Sequence, residues 1–152
     1  MKKLQFKKDI NAPVDKVYNT MLGIDNIDTY NKWTAMFNPT STYEGSWDKG
    51  AKIYFVGTDE NGKRAGMVSE IADNIPFQFV SIRHYGILDG ENEITEGPEV
   101  EKWAGGLENY SFEENQGVTT VTVEVDALED YLDFFMSTYP KALDKLKEIA
   151  EQ

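Results

Sequence analysis

His84 is the only histidine in the chain, so it sets how much catalysis the sequence can offer. A serine–histidine–acid triad would have to run through it, and nothing in the sequence pairs it with an activated serine. The bland alternative is a packed or rim residue on a strand. A histidine-based metal site is equally thin with one ring. There is no cysteine, which excludes disulfides, thiol nucleophiles and thiolate metal sites. Neither a P-loop nor a G-x-G-x-x-G motif is present to cradle phosphate. Asp89, Glu91, Glu93, Glu96, Glu99 and Glu101 could hold a hard cation through oxygens. Their spacing fits no known calcium loop, and a solvated acidic loop is the simpler reading. The sequence therefore assigns no catalytic residue, no metal and no cofactor.

Binding chemistry is better represented. Trp33, Trp47, Phe55, Met67, Phe79, Phe112, Phe135 and Met136 are large apolar residues at strand or helix spacing. Ser81 and Arg83 share a strand face with Phe79, and Tyr110 and Tyr139 bring hydroxyls. A few polar groups among many apolar ones is how a small-molecule pocket is lined. Arg83 could pair with a ligand carboxylate; its alternative is a salt bridge to one of the many acids. For every aromatic, plain core packing is the competing explanation. Trp103, beside Gly105-Gly106 in a polar loop, either anchors that loop on the sheet or closes over a cavity with the glycines as a hinge.

The elements that would position these residues follow from periodicity. Leu4, Phe6 and Ile10 alternate with lysines as a first strand. Asn11-Ala12-Pro13 then opens a helix with Val14, Val17, Tyr18, Met21 and Leu22 on one side, ending near Gly23. A weaker helical piece spans Ile24 to Trp33. Strands are predicted at Thr42–Gly45, Lys52–Thr58, Arg64–Ala72, Phe77–Tyr85, Leu107–Glu114 and Val118–Asp126, several joined by hairpin signals such as Asn61-Gly62. Gly86 to Gly106 breaks the rhythm as an acidic, glycine-rich insert, with one helical turn starting at Pro98. Leu128 to Ala150 reads as one amphipathic helix with Leu128, Leu132, Phe135, Met136, Tyr139, Leu143, Leu146 and Ala150 on its inner stripe. Pro140 within it either bends the helix or follows a fresh start capped by Thr138. Hairpin-connected strands form an antiparallel sheet, so the class is α+β. A sheet of that length must curl, and the last helix has a face suited to fill the curl.

Composition bounds the partners. With 152 residues, one domain is expected. Acids outnumber bases 27 to 15, giving a net charge of −12, which disfavours nucleic acid and anionic membranes. The start, MKKLQFKKDI, has no apolar run behind its lysines, and no stretch approaches a membrane span. The expected location is the cytoplasm.

Several short segments carry a family resemblance in the family's order. They are Ile10-Asn11-Ala12-Pro13-Val14-Asp15-Lys16-Val17-Tyr18, Tyr30-Asn31-Lys32-Trp33, Trp47-Asp48-Lys49-Gly50 leading into Ile53 and Phe55, and Gly66-Met67-Val68 with Ile71 and Pro76. Tyr110-Ser111-Phe112 and Tyr139-Pro140-Lys141-Ala142-Leu143 with Leu146-Lys147 complete the set. Together they resemble the START-like or Bet v 1-like (SRPBCC) helix-grip superfamily, and within it the family homologous to the activator of the Hsp90 ATPase. The resemblance spans residues 1–152 as a single domain, with 86–106 as a departure. It implies a helix-grip fold: a curved antiparallel sheet of about seven strands wrapped around a long C-terminal helix, with two short N-terminal helices closing one end. It also implies a cavity between sheet and helix. The first functional expectation is a non-enzymatic module holding a small hydrophobic or amphipathic molecule, as a monomer or weak dimer. The alternatives are a chaperone-linked or other protein-interaction module, and a cyclase- or hydratase-type enzyme using pocket polar groups.

Overall fold

The computed structural model describes residues 1–152. Its strands are β1 (Lys2–Ile10), β2 (Thr42–Gly45), β3 (Lys52–Thr58), β4 (Arg64–Ile75), β5 (Phe79–Asp89), β6 (Asn92–Ile94), β7 (Gly106–Asn115) and β8 (Val118–Ala127). Its helices are α1 (Val14–Leu22), α2 (Ile27–Thr34), the single turn α3 (Pro98–Glu101) and α4 (Leu132–Ala150), the last preceded by a 3₁₀ turn at Glu129–Tyr131. All strand pairs are antiparallel, in the order β1-β8-β7-β5-β4-β3-β2, with β6 added beside the far end of β5. The sheet is curved and unclosed, and α1, α2 and α4 fill its concave side. The class is α+β.

The concave face carries the main core. Ile53, Ile71, Val80, Ile82, Tyr110, Phe112, Val121, Val123 and Val125 meet Tyr139, Ala142, Leu143, Leu146 and Ala150 of α4. Alternation along β8 is clean because its other face is solvated. A second, small cluster of Val56, Val68 and Leu88, with Tyr54 and Tyr85 against it, lies on the convex face. Two irregularities in the β4–β5 register, at Val68/Ser69 and Ile71/Asp73, bend that pair.

The end of α1 is finished by side chains from elsewhere. The last four carbonyls of a helix have no intrahelical donor. Here Gly23, at φ 69, returns its N–H to Asn19. Thr29 Oγ1 donates to the Thr20 carbonyl at 2.7 Å, Trp33 Nε1 to Met21 at 2.9 Å and Trp47 Nε1 to Leu22 at 3.0 Å. Two indoles thus bolt α1 to α2 and to the segment before β3. Asn74 extends the second bolt, donating to the Trp47 carbonyl at 2.8 Å while accepting from the Tyr18 hydroxyl at 2.8 Å.

Helix α4 runs without interruption through Pro140, so Thr138 does not begin a new helix. The segment 86–106 is more regular than its composition predicts. β5 continues to Asp89, turns at Gly90 (φ 63) and pairs back through β6, and α3 follows with Val100 buried.

Gly66 is fixed by close approach rather than by a special φ. A Cβ there would stand 2.0 Å from the Phe55 carbonyl oxygen, a backbone atom that cannot swing away. Gly66→Ala is expected to cost about 1–3 kcal/mol, the usual range for overpacking, read as a lowered thermal midpoint.

Candidate ligand cavity

Between the concave sheet and α4 lies a cavity of about 480 Å³, within the range of small-molecule sites. Twenty residues line it, 14 of them hydrophobic. α2 and the loop after it give Tyr30, Trp33, Thr34, Phe37 and Ser41; the sheet gives Phe55, Met67, His84, Ile87, Gly106, Glu108, Tyr110, Val125, Asp126 and Ala127. Leu128, Tyr131, Phe135 and Tyr139 come from the entry to α4 and its first turns, and Trp103 from the insert. Tyr131 is exposed and Trp103 half-buried, which puts both at the rim.

Seven of the sequence-derived residues meet here: Trp33, Phe55, Met67, Trp103, Tyr110, Phe135 and Tyr139. The other six do not. The inward face of β5 is Val80, Ile82 and His84, so Phe79, Ser81 and Arg83 sit on the opposite face, one register away from expectation. Arg83 Nε donates to Glu70 at 2.6 Å and its guanidinium lies 5.1 Å from the Tyr85 ring centre. It has no reach to a ligand in the cavity, and the salt-bridge alternative is the one observed. Ser81 is buried between Asp73 and Asn109 in the ladder. Trp47 is occupied at the end of α1, and Phe112 packs edge-on against Tyr18 at 5.4 Å. Met136 is 57% exposed because, at 100° per residue, it lies about 60° past Tyr139 toward solvent.

The polar chemistry of the cavity gathers on one wall. His84 Nε2 is 3.1 Å from Glu108 Oε1, and its Nδ1 is 2.6 Å from Ser69 Oγ. Nε2–H donates to the Glu108 carboxylate, and Nδ1 shares a hydrogen bond with the serine hydroxyl, which can donate or accept. The Tyr139 hydroxyl donates to the other Glu108 oxygen, tying α4 to β7. Tyr139 is itself held by stacking on Phe6 at 5.0 Å and edge contact with Phe37 at 4.8 Å. Burial, and secondarily the Glu108 charge, pushes the Tyr30 and Tyr110 hydroxyls well above the usual phenol range, so both stay protonated donors.

Ser69, His84 and Glu108 stand in the order of a hydrolytic triad, but Ser69 is fully buried and does not line the cavity. No substrate carbonyl reaches its hydroxyl, so the line works as a strut that orients Glu108. No group of three or more His, Asp or Glu side chains gathers where it could hold a metal ion. No helix is long and apolar enough to cross a membrane.

Sequence reading missed Tyr30, Phe37 and Glu108 as wall residues. Glu108 was within reach, since it shares the alternation of Tyr110 and Phe112 on β7. His84, weighed as a catalyst, a metal ligand or a packed or rim residue, is the hydrogen-bonded neighbour of that carboxylate.

The loop of Trp103 lies hydrogen-bonded beside β5. The Gly105 N–H donates to the His84 carbonyl of β5 at 2.9 Å, and the Gly106 N–H closes a turn onto the Trp103 carbonyl at 3.0 Å. Its indole is part of the cavity wall. Trp103→Ala is expected to weaken uptake of a neutral naphthalene dye about five- to tenfold, from roughly 1 kcal/mol of lost apolar contact, with little change in thermal midpoint. Unchanged uptake would make Trp103 a loop anchor only.

Comparison with protein-family models finds no match, and neither does comparison with curated protein sequences. Solved structures do match. A protein from Nitrosomonas europaea superposes with a TM-score of 0.72 at 14% identity, covering 99% of this chain and 94% of that one. A protein from Cytophaga hutchinsonii gives 0.71 at 18% identity, with the same 99% and 94% coverage. The Aha1 dimer from Colwellia psychrerythraea gives 0.68 at 21% identity, covering 99% and 97%. At these identities the likeness establishes a shared fold over nearly the whole chain.

Proposed function

We propose that the protein binds a small hydrophobic or amphipathic molecule between its sheet and α4, apolar body against the aromatic wall and polar end toward Glu108 and Tyr139. One observation carries this reading: an open volume of about 480 Å³ with an apolar lining and a few oriented polar groups on one side. A core selected only for stability would fill such space, because interiors pack like organic crystals and voids cost free energy. The fold shared with the solved structures is compatible with ligand binding and names no ligand. The inaccessible Ser69 supports binding rather than acyl transfer.

Native mass spectrometry of protein purified under mild conditions tests the proposal, together with titration by the neutral dye N-phenyl-1-naphthylamine. A co-purified small molecule, or saturable one-to-one dye uptake, is the expected result. A bare mass with no saturable uptake would overturn it.

A further inference from the structure

We infer that the cavity selects ligands whose polar end is a cationic nitrogen, an amine or alkylammonium group, over those ending in a carboxylate. The inference rests on the binding reading above and deepens it. The charged residues in the lining are Glu108 and Asp126; no lysine or arginine is among them. Asp126 is already answered, by Lys3 at 3.4 Å and by the Leu107 N–H at 3.0 Å. Glu108 is not. Its two contacts are the His84 ring and the Tyr139 hydroxyl, which leave lone pairs on both oxygens.

The setting of Glu108 favours a positive partner. A charge-assisted hydrogen bond from an ammonium group to a partly dehydrated carboxylate is stronger than a neutral one. Tyr30, Phe55, Tyr110 and Phe135 put aromatic rings in the same lining, and ring faces attract alkylammonium groups. A ligand carboxylate would instead meet Glu108 with no lysine or arginine in the lining to offset the repulsion. Arg83, the residue the sequence offered for that task, is on the other face of the sheet.

Three matched probes test this: 1-naphthylmethylammonium, 1-naphthylmethanol and 1-naphthoate, each competing with N-phenyl-1-naphthylamine. The assay runs at about 1 M salt, where the protein's general negative charge is screened to roughly 3 Å. The ammonium probe is expected to bind at least about tenfold more tightly than the carboxylate. Glu108→Gln should erase most of that preference, read as the ratio of ammonium to carboxylate affinity, whereas Glu91→Gln, on the exposed surface, should leave the ratio intact. Equal affinity of the three probes for the unaltered protein overturns the charge selection and leaves cavity binding standing; that comparison needs no variant to fold. Failure of all three probes and of the dye overturns cavity binding and charge selection together.

Discussion

Ala127→Trp is expected to reduce dye binding at least about a hundredfold without lowering the thermal midpoint. Ala127 is 2% exposed at the end of β8 and lines the cavity beside the entry to α4. In a filled interior, inserting an indole at such a site would force off-rotamer neighbours and cost about 1–3 kcal/mol or more. Ala127 borders a space of about 480 Å³, and a ring directed into it buries apolar surface, so stability should hold or rise. The two readouts therefore separate a cavity from a packed core. Thermal unfolding and dye titration of the same preparation measure both. A large fall in midpoint would say that the space is already filled.

Trp33→Ala should be the most damaging single change to stability. The side chain is 1% exposed, flanked by Tyr30 at 5.8 Å and Tyr110 at 6.3 Å, and its Nε1 donates to the Met21 carbonyl. Truncation removes the transfer free energy of an indole and enlarges the adjoining cavity, together about 3–5 kcal/mol. It also leaves a buried helix-end carbonyl without a donor. At about 2–4 °C per kcal/mol for a chain of this size, the midpoint should drop on the order of 10 °C. Trp33→Phe separates the terms: it keeps most of the apolar contact and loses the bond, and should cost about 1–3 kcal/mol. If Trp33→Phe proves as damaging as Trp33→Ala, the hydrogen bond to Met21 dominates.

The main elements were legible because each has a clear local period. The switch at Asn11-Ala12-Pro13, the alternation of Val121, Val123 and Val125, and the long apolar stripe through Tyr139 and Leu146 all appear where the pattern puts them. The face of β5 was not legible. It carries apolar residues on both sides, Val80 and Ile82 toward α4, and Leu88 with Tyr85 in the small convex cluster, so alternation alone offers two answers. The register irregularities against β4 add a further shift. The 86–106 segment hid its hairpin because glycines and acids dilute the strand signal, while the pairing of Ile87 with Ile94 supplies the order. The polar wall was beyond spacing arguments altogether. His84 finds Ser69 and Glu108 across two neighbouring strands, and Glu108 finds Tyr139 on the helix. Only the folded sheet brings them together. Trp47 looked like a cavity aromatic and serves instead as the indole that closes α1, a role fixed by the position of a carbonyl and not by its own neighbours in sequence.

The central claim is that a small molecule enters between the sheet and α4. An amide-resolved NMR titration of the unaltered protein with N-phenyl-1-naphthylamine tests it most directly. Saturable shifts should concentrate at cavity residues on separate elements, Phe55, Glu108, Val125 and Phe135 together with Trp103. The convex cluster of Val56, Val68 and Leu88 should stay largely unmoved. No shifts, or shifts centred on that convex cluster or on exposed Phe134 and Met136, would contradict the account.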